Sequence, residues 1–226
     1  MAGTTAQDRA EPFVIAIDGP AASGKGTLGR RLAAHYGLAY LDTGRLYRAV
    51  AAAVLAAGAD PGDARAAEQA ARTLTPAALE DPDLRSEAVG NAASTVAAIP
   101  AVREALLDFQ RSFAAAPPPD FRGAVLDGRD IGTVVCPRAH LKLFVTASPE
   151  VRAERRYREL VARGETADRG TILADILRRD RKDAERSVAP LAAAADALAI
   201  NTDALDADAV FALACRHVDS RIPKPT

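Results

Sequence analysis

The sequence predicts an α/β protein built on a doubly wound parallel sheet of about five strands. Two observations predict it. Short aliphatic, β-branched runs alternate with longer stretches of helical character along the chain, and that alternation gives a parallel sheet with right-handed crossovers and helices on both faces. The first of these runs also ends in a glycine-rich turn that feeds directly into a helical stretch.

Phe13 to Ile17, FVIAI, reads as a buried parallel strand because it is apolar throughout and stops at Asp18 and the glycine-rich turn. In LGRRLAAHYG, Leu28, Leu32 and Tyr36 recur every four residues and Gly37 is a natural helix stop. LAYL, 38–41, is a second strand, and RLYRAVAAAVLAAG after Thr43 and Gly44 is a helix. From Ala64 to Phe113 the chain reads as helical or irregular, cut by Pro76, Pro82 and Pro100. Pro117, Pro118 and Pro119 form a stiff exposed connector before GAVLD, 123–127, resumes the buried-strand pattern. LKLFVTAS, 141–148, is a further strand, and Pro149 opens a helix running to about Arg163. Gly164 to Gly170 reads as a polar loop, followed by the helical ILADILRRDRKDAERS. ALAINTD, 197–203, is the last strand, and Asp206 caps a final helix through Val218. The expected organisation is a flexible tail at 1–12 and one domain over 13–226, with a helical insert at about 60–113 and a small arginine-rich lid at about 157–170.

Composition narrows the function. At 226 residues and 49% hydrophobic content the chain can bury one sizeable core. No apolar run approaches the roughly 20 residues a membrane span needs, and MAGTTAQDRAEP lacks the apolar stretch of a secretory signal. A cytoplasmic protein with no membrane partner is therefore expected. Cys136 and Cys215 are far apart with no CxxC, which supports neither a disulfide framework nor a zinc site. The net charge of −1 provides no basic field for nucleic acid, so anion binding must be local. His35, His140 and His217 have no carboxylate or nucleophile near them in sequence and read as structural. No coiled coil or interaction tail is visible, and a monomer is expected.

The stretch GPAASGKGT (Gly19, Pro20, Ala21, Ala22, Ser23, Gly24, Lys25, Gly26, Thr27) almost fits the phosphate-loop pattern GxxxxGK[ST]. Glycines there let successive backbone N–H groups converge on an anion at a helix N-terminus, and the lysine adds a mobile charge. The hydroxyl that usually follows the lysine arrives one residue late, at Thr27. Either Thr27 takes over part of the Mg²⁺ contact, or the ion is held mainly by nucleotide oxygens and water, as Mg²⁺ tolerates.

GKGT with this shift resembles the nucleoside-monophosphate kinases. YLDTGRLYR (40–48), NAAS (91–94), VREALL (102–107), LDGRDIGTVV (126–135) and RDRKDAERSVAPL (179–191) together resemble the bacterial cytidylate kinases, over about residues 13–220. The resemblance implies ATP as phosphoryl donor, Mg²⁺, and CMP or dCMP as acceptor. It implies that Asp42, Thr43 and Arg48 hold the monophosphate, that Ser94 and Arg103 contact base and phosphate, and that an arginine-bearing flap closes over ATP; of Arg152, Arg155, Arg156, Arg158, Arg163 and Arg169, the first candidates for it are Arg155 and Arg156. Arg129 at a strand end suits a phosphate, and Asp130 beside it suits a ribose hydroxyl. Asp127 reads either as an acid near the metal or as the cap of its turn. Arg179, Asp183 and Arg186, spaced i, i+4, i+7, share a helix face; the resemblance gives both arginines to phosphate and Asp183 to the base. A carboxylate accepts from the cytosine N4 amino group and meets the uracil O4 lone pairs unfavourably. The expected catalytic groups are Lys25, Arg129, Arg179 and Arg186, with no general base, because a phosphate acceptor is already anionic near pH 7.

Two rivals are weaker. Another phosphate-loop kinase with a different small acceptor leaves the DGRD and RxxxDxxR blocks to be explained otherwise. A GTP-dependent switch usually carries NKxD, and INTD at 200–203 lacks the lysine. The segment 64–90 is shorter than in many cytidylate kinases and lacks alternating β-branched residues, which bears on ribose contacts.

Overall fold

The structure is a computed structural model that describes residues 11–222. Much of the tail expected at 1–12 lies outside the described residues. Five parallel strands, β1 (Phe13–Asp18), β2 (Ala39–Asp42), β3 (Gly123–Gly128), β4 (Leu141–Thr146) and β5 (Leu198–Asn201), form one sheet in the order β2-β3-β1-β4-β5. The register sets the site: Asp42 pairs with Asp127 and Asp18 with Gly128, so three strands end together on one edge. In an open parallel sheet that carboxyl edge is where ligands bind.

The strands are apolar on both faces because both faces are covered. Ile15 and Ile17, fully buried, pack with Leu28 and Leu32 of α1 (Lys25–Tyr36) and Val218 of α8 (Ala207–Asp219). Ala16, Leu126 and Ala124 pack on the other face with Ala114 of α5 (Pro100–Ala115). Asp206 caps α8 through the backbone N–H groups of Asp208 and Ala209.

The insert has its own apolar core. It is shared by α2 (Thr43–Ala56), α3 (Ala64–Arg72), α4 (Glu87–Val96) and α5, with two 3₁₀ turns at Pro76–Glu80 and Pro82–Arg85 between α3 and α4. Proline opens both turns and α5, at positions where its missing N–H costs nothing. The segment expected as a lid, about 157–170, falls within a helical hairpin of α6 (Pro149–Ala162) and α7 (Arg169–Glu185), held by Ala153, Leu160, Ile172 and Ile176. Arg169 and Gly170, expected in a loop, are the first turn of α7, because Asp168 accepts from the Thr171 N–H and caps the helix there.

One element had no counterpart in the sequence reading. After β3 the chain makes a π-helical turn, Ile131–Val135. The buried Asp18 carboxylate, 113 residues away from Ile131, accepts from the Ile131 and Gly132 N–H groups at 2.7 Å each. Arg111 of α5 donates to the Val134 and Val135 carbonyls. Such turns are rare and recur near functional sites.

Candidate active site

The carboxyl edge of the sheet, α4, α6 and α7 enclose a cavity of about 400 Å³. The loop between β1 and α1 forms its floor. Gly19 has no room for a side chain, since a Cβ there would lie 2.1 Å from the Val145 carbonyl oxygen. Gly24 is left-handed, at φ 93°, and ends the loop as the N-cap of α1. Ala22 also has a positive φ, 58°. Ala21 to Thr27 line the cavity, while Gly19 and Pro20 shape the loop behind it. Lys25 Nζ donates to the Pro20 carbonyl at 3.2 Å.

The cavity wall is densely charged, with six basic side chains beside six acidic ones. Arg48, Arg129, Arg156 and Arg179 line it together with Lys25. Burial and the neighbouring Arg129 push the Lys25 ammonium down to about 8. Burial, then Arg129 and Arg48, push Arg179 down to about 10, and its buried Nε has no hydrogen-bond partner among the described residues. Both lose charge stability first to burial and then to Arg129, and an incoming polyanion would offset that loss. Arg48 also donates to the Leu84 carbonyl at 2.6 Å, tying α2 to the second 3₁₀ turn. The resemblance put this arginine on phosphate; the structure shows it serving the insert as well.

The acids divide in two. Asp127 is buried at the end of β3, and its Oδ1 accepts from the Tyr40 hydroxyl at 3.1 Å. Burial, then the nearby Asp42, push its carboxyl up to about 6. Asp42 lines the cavity and caps α2 through the Arg45 N–H. Among the described residues no group of three or more His, Cys, Asp or Glu side chains is placed to hold a metal ion. One buried carboxylate beside a second, with Thr27 exposed on the same wall, nonetheless suits a hard cation that takes most of its ligands from phosphate and water.

Asp183 belongs to the other end. Arg129 Nε donates to its Oδ2 at 2.7 Å. Burial alone would raise the Asp183 carboxyl; Arg129 outweighs it and holds the carboxyl below its usual range. Correspondingly, burial would lower the Arg129 guanidinium and Asp183 more than offsets it. Close by, Arg103 pairs with Asp130, and Arg186 Nη2 stands 4.0 Å from Asp130 with no hydrogen bond of its own among the described residues. Ser94 lines the cavity on α4.

Besides Gly19 and Pro20, five residues expected at the nucleotides lie outside the cavity lining. Thr43 is buried and donates to the Asp127 carbonyl at 2.8 Å, fixing α2 to β3 instead of facing the cavity. Arg155 does not line the cavity; it donates to the Thr202 hydroxyl and carbonyl at 2.9 and 2.6 Å, because it faces β5 while Arg156, one residue on, faces inward. Arg103 and Asp130 form a closed pair behind the wall. Arg186, expected on phosphate, groups with that pair rather than with Lys25, since the charges acting on it are Arg103, Asp183, Asp130 and Arg129.

Three residues that the sequence did not single out also matter. Tyr47 lines the cavity with the Arg103 guanidinium 5.7 Å from its ring centroid. Tyr40 steadies Asp127, and both tyrosines sat unnoticed inside YLDTGRLYR. Arg152 is almost fully buried, and nothing in the sequence separated it from the surface arginines around it.

A phosphate loop facing a densely charged cavity, roofed by a helical insert and an arginine-bearing hairpin, defines a nucleoside-monophosphate kinase. The family model for cytidylate kinase matches residues 15–220. The cytidylate kinase of Rhodopseudomonas palustris is 61% identical over 194 residues, covering 86% of this chain and 90% of that protein. That of a Methylobacterium species is 64% identical over 211 residues, covering 93% and 99%, and that of Paramagnetospirillum magneticum 59% identical over 208 residues, covering 92% and 98%. The chain belongs to the cytidylate kinase family. A solved but uncharacterised protein of Eubacterium ventriosum shares the fold, with a TM-score of 0.52 and 15% identity over 92% of this chain and 99% of that one. Among the described residues no helix is long and apolar enough to cross a membrane.

Proposed function

We infer that the protein transfers the γ-phosphoryl group of ATP to the 5′-phosphate of CMP or dCMP, giving ADP and the diphosphate. The observation that carries this reading is the convergence of Lys25, Arg48, Arg129 and Arg179 on one cavity at the phosphate loop, with Lys25 and Arg179 both depressed by burial and then by Arg129. Such a cluster can hold two anions that repel each other, and holding them in line is most of the work in phosphoryl transfer.

In this reading the backbone N–H groups of the loop and Lys25 hold the β- and γ-phosphates, with Arg156 on the lid side. Arg129, Arg179 and Arg48 receive the acceptor phosphate and spread the charge of the transferring group. Asp127, with Thr27, would hold Mg²⁺, which when bound neutralises charge between the donor phosphates. The acceptor phosphate is its own nucleophile, so no side chain is required to remove a proton. Closure of the α6–α7 hairpin excludes water from the transfer.

The nucleoside falls to the second group of residues. Asp183 offers its carboxylate and Tyr47 a ring face. Ser94 completes that end, backed by the Arg103–Asp130 pair behind the wall. A coupled assay of ADP release with ATP and CMP, dCMP, UMP, AMP or shikimate tests the reading. Stimulation by CMP and dCMP alone is expected, and no stimulation by any monophosphate would refute it.

A further inference from the structure

Arg152 is 2% exposed and does not line the cavity, yet its guanidinium touches three separate parts of the machinery. Nε donates to the Ala147 carbonyl just past β4 at 2.9 Å. Nη1 donates to the Ala21 carbonyl of the phosphate loop at 3.2 Å, and also to Asp180 Oδ1 at 3.0 Å. Nη2 completes a fork onto Asp180 Oδ2. Asp180 lies on α7 directly after Arg179 and three residues before Asp183. One planar cation thus joins the sheet edge, the donor loop and the acceptor helix.

We propose that Arg152 is a positioning residue that sets the register between the phosphate loop and α7, and so the alignment of donor and acceptor phosphates. Two features of the geometry support this. First, the Ala21 carbonyl precedes Ala22, the one non-glycine residue of the loop with positive φ. In a trans peptide the C=O and the following N–H point in opposite directions, so an arginine that captures the Ala21 carbonyl also orients the Ala22 N–H. Ala22 lines the cavity, and that N–H is one of those available to phosphate. Second, a bidentate arginine–carboxylate pair fixes both distance and rotation, which a single contact does not. The fork on Asp180 therefore holds α7 about its own axis, and with it the direction in which Arg179 enters the cavity. A lysine at 152 keeps the charge but lacks the planar fork and cannot meet all three partners.

Each nucleotide meets its own half of the site, so the consequence falls on alignment rather than on either affinity. The inference rests on the phosphoryl-transfer reading, which wild-type turnover in the same assay checks on its own. The test is steady-state kinetics on the full chain for R152K, D180N and the double variant, with melting temperature recorded for each. D180N removes only the α7 arm at a half-buried carboxylate and is expected to stay folded. Its kcat is expected to fall at least about tenfold while KM for ATP and for CMP each stay within about threefold. R152K should lose more, and adding D180N to it should cost little further, because the two act as one unit. The proposal is overturned if D180N keeps kcat within threefold of wild type, if the loss appears in KM with kcat intact, or if the two losses multiply.

Discussion

Arg129 at the end of β3 and Asp183 on α7 are joined by a 2.7 Å hydrogen bond although 54 residues separate them in the chain. The bond couples the sheet edge to α7 and leaves both side chains in the cavity wall. Their ionisation agrees with it, the guanidinium held more basic and the carboxyl more acidic than usual.

The pair makes stability depend on acid. A carboxyl whose folded value lies below the ordinary 3.8 contributes stability that is present above 3.8 and lost as the pH falls through the lowered value. D183N should melt well below wild type at pH 7, by about 3 kcal/mol for a buried charge left unpaired. That gap should narrow below about pH 4, and thermal melts of both proteins from pH 7 down to 3 measure it. In the same variant, a loss of activity larger for CMP than for UMP assigns Asp183 to the base, and equal losses argue for a structural role through Arg129.

Lys25→Ala should lower turnover by at least about 10²-fold with the melting temperature little changed. Among the described residues Lys25 donates only to the Pro20 carbonyl, so its removal disturbs charge more than packing. Near-normal activity would sink the phosphate-loop assignment.

The glycines of the loop differ in kind. Gly19→Ala drives a methyl group to 2.1 Å from the Val145 carbonyl and should cost about 2 to 3 kcal/mol. Gly26→Ala meets its nearest neighbour, Asp127 Oδ2, at 3.4 Å, an ordinary contact, and should fold like wild type. Paired urea denaturation curves distinguish the two.

Arg155→Met should destabilise by about 1 to 2 kcal/mol through the two lost bonds to Thr202. Its KM for ATP should stay within about twofold of wild type. A tenfold rise in KM with unchanged melting would return Arg155 to the nucleotide site.

The five strands, the loop and most helix limits were legible in the sequence because each rests on a local rule. Apolar runs between turns mark buried parallel strands, Asp206 caps its helix by itself, and GPAASGKGT folds into a loop wherever a strand precedes it and a helix follows. The π-helical turn after β3 was not legible, since it is held from Asp18 and Arg111 on other elements. The start of α7 was misplaced because Asp168 was read as loop rather than cap.

By itself the sequence determined which residue types the site contains, and the block order that marks the family. Only the tertiary structure decided which arginines face the cavity. Arg152, Arg155 and Arg156 look alike along the chain, yet one is buried as a strut between loop and α7, one is tied to β5, and one reaches the cavity. The physical reason is that helical side chains project in directions about 100° apart per residue. What each then meets is set by how α6 packs against the sheet and α7, and no local pattern encodes that packing.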